Sequence, residues 1–107
     1  MSEARERVDR GAALLDRERP GWYREIDLER LDIRFCDNCI GGQLYGGYSE
    51  GLRRLGILVP LRYGMDSSSV AAYDELTVLW REAIHLRLSV DSVQVTLVAG
   101  EREKESV

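Results

Sequence analysis

The residues of this chain best suited to chemistry are two cysteines, Cys36 and Cys39, which form a C-x-x-C motif. A helix N-terminus stabilises a thiolate and lowers the pKa of the thiol, and dithiol redox proteins use this effect. Such a motif in a thioredoxin-like protein follows a strand of a βαβ unit and faces a cis-proline, and the sequence indicates neither. Two small apolar thiols at the start of a helix are therefore the simpler interpretation, and thiol redox chemistry is an alternative.

Zinc binding is the second chemistry that a cysteine pair can serve. A structural zinc site needs four ligands, and His85 is the single histidine of the chain. One chain could offer Cys36, Cys39, His85 and a carboxylate such as Asp37, whereas two chains could offer two C-x-x-C pairs. The spacing indicates neither set, so we expect no cofactor and keep zinc as an alternative.

Catalysis has little support in the sequence. His85 lies beside Ile84 and Leu86, and no serine or cysteine nucleophile is arranged with it in a readable motif. We therefore expect no catalytic residue and a non-enzymatic protein.

A glycine-rich stretch surrounds Tyr45 and Tyr48. Backbone amides of such a stretch can bind phosphate, but no G-K-[ST] motif is present and no apolar strand leads into it. Close helix packing explains the glycines better, and tyrosines between glycines suit protein–protein contacts, although both could equally pack within the chain. The residues predicted to contact a protein partner are Trp22, Tyr45, Tyr48, Gly42, Gly46 and Gly47.

The element that carries these residues is predicted to be one helix within Cys36–Gly56. Its apolar stripe recurs at spacings of three and four residues, at Ile40, Leu44, Tyr48, Leu52 and Leu55. Each interior glycine costs about 0.5–1 kcal/mol relative to alanine. We therefore expect another backbone or a partner to approach this helix closely.

A first helix is predicted over residues 2–18, with Ser2 as its N-cap and an apolar stripe from Ala4 to Leu15. Gly11 is expected to be a second close-packing point within this helix. Pro20-Gly21 ends it, because a proline pushes the preceding residue out of helical geometry. Trp22 should then pack over the turn as an anchor.

The segment from Ile26 to Phe35 nearly alternates between apolar and polar residues. This pattern is typical of a short strand or an extended segment laid across the helices. A single helical turn capped by Asp27 fits equally well. The apolar stretch from Ile57 to Tyr63 contains Pro60 and is predicted to be a connecting loop.

A third helix is predicted from the Asp66–Ser69 start signal to about Leu88. Leu79 and Leu86 widen its apolar side, so we expect it to be covered on two sides. Its predicted inward face consists of Tyr73, Leu76, Trp80, Ala83, Ile84 and Arg87. From Val90 to Val98 the residues alternate, which predicts a minor β element whose partner strand lies elsewhere in the chain or in a second copy.

Composition sets the limits of these hypotheses. With 107 residues, the sequence predicts one mainly α domain of about three helices over residues 1–100, followed by a charged flexible tail at 101–107. The net charge of −4 argues against binding nucleic acid. No signal peptide or membrane span is indicated, so we expect a cytoplasmic protein, and a homo-oligomer is an open alternative.

Four stretches of the sequence carry a resemblance to known proteins: RGAALLDRERPGW at 10–22, I-D-L…L-D at 26–32, CDNCIGGQLYGGYSEGL…LG at 36–56 and YDELTVLWREAI at 73–84. These stretches, which span most of residues 8–84, resemble a family of small uncharacterised proteins encoded by actinobacteria and their phages. The block from Cys36 to Tyr48 is the most specific part. The resemblance implies no particular activity, but it favours a cytosolic accessory protein in a phage or prophage setting that binds a host protein.

Overall fold

Helices make up most of this protein, as the sequence predicts. The computed structural model describes the backbone of residues 3–105 and the side chains of residues 3–91. Its elements are α1 (Glu3–Glu18), a 3₁₀ turn (Trp22–Glu25), α2 (Ile40–Tyr45), α3 (Tyr48–Leu55), a second 3₁₀ turn (Pro60–Tyr63) and α4 (Val70–Glu105). The predicted Ser2 cap lies outside the described residues, and most of the predicted β element at 90–98 and all of the predicted tail at 101–107 lie where no side chains are described. They stay predictions, as does the domain boundary at residue 100.

Helix α1 and the turn after it build the centre of the core. Val8, Ala12 and Leu15 are buried, and Gly21 adopts φ 81°, a left-handed conformation that suits glycine and lets the chain turn. Trp22 then packs edge-on against Trp80 of α4, with ring centroids 5.7 Å apart. The predictions of the first helix, its end and the buried tryptophan are confirmed.

Asp16 connects this turn to α4. Its carboxylate accepts hydrogen bonds from the Trp22 indole (2.9 Å) and from Arg87 Nη2 (2.7 Å). The bond from Arg87 lowers the pKa of Asp16. This carboxylate therefore fixes the end of α1 against α4.

Gly11 is a close-packing point, as predicted. A Cβ atom there would lie 2.2 Å from the Tyr63 carbonyl oxygen and 2.9 Å from the Trp80 ring. The Trp80 indole donates to the Gly64 carbonyl at 2.8 Å in the same region. Only a residue without a side chain lets α1, the second 3₁₀ turn and α4 meet this closely.

The segment from Ile26 to Phe35 consists of turns and irregular backbone laid across the helices. The Asp27 carboxylate accepts from the Glu29 N–H at 3.0 Å, and the Ile33 N–H donates to Thr77 Oγ1 of α4 at 3.0 Å. Ile26 and Ile33 are buried. The alternation therefore marks a segment with one side in the core, and the alternative of a short strand is wrong.

The predicted single central helix is wrong, because two helices occupy its place. Gly46 adopts φ 84° and ends α2, and its N–H donates to the Gly42 carbonyl at 3.0 Å. Gly47 is extended and begins α3. The apolar spacing runs through this break because both short helices turn their apolar sides to the same core.

Helix α4 begins at the predicted signal, since the Ser69 hydroxyl accepts from the Ala72 N–H at 3.2 Å. Leu76, Trp80 and Ile84 are buried, which confirms the predicted inward face. The helix continues beyond Leu88. We expected other parts of the chain to cover α4 on two sides. Within the described residues one of these sides stays partly open, because Leu86 is 64% exposed.

Candidate interaction surface

Cys39 begins helix α2 and has a structural role. Its sulfur accepts a hydrogen bond from the Gly42 N–H at 3.3 Å, and its thiol donates to the Cys36 carbonyl at 3.3 Å. The side chain is 2% exposed. Burial raises the pKa of the Cys39 thiol against the opposing effect of the Gly42 N–H. The thiol is therefore kept neutral as a helix cap, contrary to the activated thiolate that a redox motif needs.

The other candidate ligands do not join Cys39. Both cysteines are free, and Cys36 is exposed. His85 is exposed on α4. Within the part of the chain that the structure describes, no group of three or more His, Cys, Asp or Glu side chains is placed to hold a metal ion. Cys36, Cys39, His85 and Asp37 therefore form no single-chain ligand set here.

Gly42, predicted to contact a partner, packs against its own chain. A Cβ atom at Gly42 would lie 2.0 Å from the Cys36 carbonyl oxygen, and one at Gly51 would lie 2.8 Å from the Gly41 Cα. The expected close approach is therefore correct, but the approaching atoms are the backbone before α2 and the backbone of α3. Gly42 is buried and offers no contact surface.

Tyr45 is held by Arg19, the residue that directly follows α1. The Arg19 guanidinium lies over the Tyr45 ring, 4.8 Å from its centroid. Arg19 also donates to the Leu44 carbonyl at 2.9 Å and pairs with Glu25. One arginine therefore caps the C-terminus of α2 and fixes the ring beside it, leaving Tyr45 only partly exposed.

Tyr48 lines a small cavity of about 140 Å³ with Cys36, Met65, Asp66 and Tyr73. Burial raises the pKa of Tyr48 to about 12. The Tyr73 hydroxyl donates to the Asp66 carboxylate, and this bond raises the pKa of Tyr73. Both tyrosines of the glycine-rich stretch, Tyr45 and Tyr48, pack against the core, which is the intramolecular alternative left open by the sequence.

The remaining residues predicted to contact a partner differ in how accessible they are on the surface. Trp22 is fully buried, so its ring cannot touch a partner, and its prediction as a surface contact is corrected. Gly46 is exposed, and a Cβ atom at Gly46 or Gly47 would have no neighbour within 4 Å. The open part of the predicted surface is thus the Gly46-Gly47 turn.

A more apolar surface lies where the sequence predicted only a connecting loop. Leu58 is 94% exposed, and Val59 and Leu61 are exposed beside it. We call residues 58–61 the apolar loop. A buried leucine side chain contributes about 1.5–3 kcal/mol, so a solvated Leu58 leaves this contribution unused in the single chain. Sequence reasoning missed these residues because exposure depends on packing, and the single available signal was three large apolar residues around Pro60.

The apolar loop is fixed at both ends. Ile57 and Met65, which flank it, are buried. The Ile57 N–H donates to the Leu52 carbonyl at 2.9 Å, and the Met65 N–H donates to the Pro60 carbonyl at 3.1 Å. Arg10 of α1 donates to the Arg62 carbonyl at 2.7 Å. The loop therefore presents its side chains on a defined backbone.

Arginines flank the apolar loop in sequence on both sides. Arg53 and Arg54 of α3 are exposed and share Glu50, with Arg53 Nη2 at 2.6 Å from one of its oxygens. Arg62 follows the loop and is exposed. Between residues 50 and 62, the charged side chains are therefore three cations and one carboxylate.

Comparisons with models of protein families, with curated protein sequences and with solved structures find no match to this chain. Among the described residues, no helix has the length and apolar character needed to cross a membrane.

Proposed function

We propose that this protein is a non-enzymatic protein-interaction module that binds its partner through the apolar loop. The observation that carries the proposal is Leu58, a large apolar side chain 94% exposed on a loop anchored at both ends. Such a side chain on a fixed backbone loses little conformational freedom on binding and gains the full benefit of burial. This loop replaces Trp22 and Gly42 as the proposed contact.

The partner that fits is a protein with an apolar pocket and an acidic rim. The pocket would take Leu58, and carboxylates on the rim would face Arg53, Arg54 and Arg62. The resemblance to proteins of actinobacteria and their phages leads us to propose a host cytoplasmic protein in a phage or prophage setting. Binding should weaken as salt is raised, because salt screens exposed charges.

Capture from an actinobacterial lysate tests the proposal. The full chain, Leu58→Ser and the matched control Val70→Ser serve as baits, since Val70 is also exposed but belongs to α4 and not to the apolar loop. The control should retain the partner, whereas Leu58→Ser should raise Kd at least about tenfold, as expected for one lost leucine contact. Equal capture by both variants, or no partner at all, would contradict the proposal.

Zinc binding and thiol redox activity remain the alternative proposals. Cys36 is exposed and supports them, whereas Cys39 is buried as a cap and argues against them. Elemental analysis and thiol titration before and after reduction separate these functions from protein binding. Stoichiometric zinc or a reversible Cys36–Cys39 disulfide would replace our first proposal.

A further inference from the structure

One side of α4 carries apolar residues at alternating spacings of three and four. They are Leu76, Leu79, Ala83, Leu86 and Val90, and the sequence continues the spacing at Val93 and Leu97. We call the five residues from Leu76 to Val90 in this series the α4 seam. Alternation of three and four places side chains on the side of a helix that packs lengthwise against another helix.

The α4 seam is buried in its first part and open further along. Leu76 and Ala83 are buried in the core that α1 completes, whereas Leu86 is 64% and Val90 46% exposed. The change occurs near the end of α1, where Asp16 meets Arg87. The helix–helix packing of α1 with α4 therefore continues directly into a surface with the same spacing and no cover in the described chain.

A groove runs along the open part of the α4 seam. Its volume is about 330 Å³, and it is lined by Leu86, Val90, Asp16, Tyr23, Arg87 and Asp91. The polar groups at its edge bind one another, since Tyr23 donates to Asp91 at 2.6 Å and Arg87 donates to Asp16. An apolar floor with a paired polar edge suits an apolar helix side better than a charged ligand.

We propose that the open part of the α4 seam pairs with α4 of a second copy of this chain. The spacing calls for a helix as the occupant, and within the described residues α1 already packs on α4 while the short α2 and α3 pack on each other. A second α4 carries the same seam, so a two-fold arrangement matches it to itself. The charged residues at the edges of the seam are paired within the chain, Glu82 with Arg5, Arg87 with Asp16 and Asp91 with Arg24, so little like-charge repulsion opposes the pairing.

The oligomeric state of the full chain tests this proposal. Sedimentation over a concentration series should show the mass rising from 12.2 kDa toward twice that value. Leu86→Gln and Val90→Gln should each raise the dimer Kd at least about tenfold. Val78→Gln is the matched control, because Val78 is 55% exposed on α4 but outside the seam. It should leave the Kd unchanged.

Circular dichroism of each variant confirms that the helices are retained, since Leu86 is largely solvent-exposed in the single chain. A wild-type chain that stays monomeric across the series would overturn the proposal. A dimer that Leu86→Gln and Val90→Gln leave intact, or that Val78→Gln weakens equally, would also overturn it. Partner capture through the apolar loop is measured separately, so the two proposals fail independently.

Discussion

Replacing Gly42 by alanine tests the backbone contact at the start of α2. The new Cβ would lie 2.0 Å from the Cys36 carbonyl oxygen and 2.7 Å from the Asp37 carbonyl carbon. Relief requires the Cys36-Asp37 backbone to move away from α2, which also disturbs the Cys39 cap. Forcing an extra carbon into a packed site costs about 1–3 kcal/mol. Both partners here are backbone, so we expect the upper part of this range.

Helix propensity opposes this cost. Alanine is favoured over glycine inside a helix by about 0.5–1 kcal/mol. The clash is larger, so Gly42→Ala should lower the free energy of unfolding by about 1–2 kcal/mol. For a domain of this size, the melting temperature should fall by roughly 5–15 °C.

Thermal and urea unfolding followed by circular dichroism measure the effect. Gly47→Ala is the matched control, because Gly47 has extended backbone and its Cβ would have no neighbour within 4 Å. The control should stay within about 0.5 kcal/mol of wild type. Our reasoning is refuted if Gly42→Ala is as stable as wild type, or if Gly47→Ala costs as much.

Two further predictions concern titratable groups. Cys36 is exposed and Cys39 is 2% exposed, so one thiol should react rapidly with a maleimide in the folded protein, and Cys36→Ser should abolish that rapid reaction. Two rapid thiols would contradict the capping role of Cys39. The pKa of Tyr48 is raised to about 12, so between about pH 10 and 12 the unfolded chain loses this proton while the folded chain keeps it, and stability falls as pH rises. In Tyr48→Phe, the midpoint of urea unfolding should fall less steeply as pH rises. A slope equal to that of the wild type would contradict the prediction.

Local signals in the sequence were sufficient to predict α1, its end at Pro20-Gly21 and the inward face of α4. Each depends on a periodic apolar pattern or on the restricted backbone of proline. The break at Gly46 was not predictable in the same way, because glycine is compatible with both a helix and a left-handed turn. The spacing of four between Leu44 and Tyr48 concealed it.

The candidate site was predictable only in part. The energetic cost of a glycine within a helix predicts that other atoms approach Gly42 closely. The sequence does not show that these atoms belong to the backbone of the same chain. Trp22 was correctly expected to be an anchor, yet its complete burial removes it from any surface. Leu58 was missed because neighbouring apolar residues in a loop do not reveal which of them faces solvent.

Because Trp22 and Trp80 contact each other in the core, the tryptophan signal of this protein comes from the core. These are the two tryptophans of the chain, and their rings lie edge to face at 5.7 Å. Both rings lie at one location, so tryptophan fluorescence reports on that part of the core. Tryptophan fluorescence will therefore follow melting of the core without an attached dye.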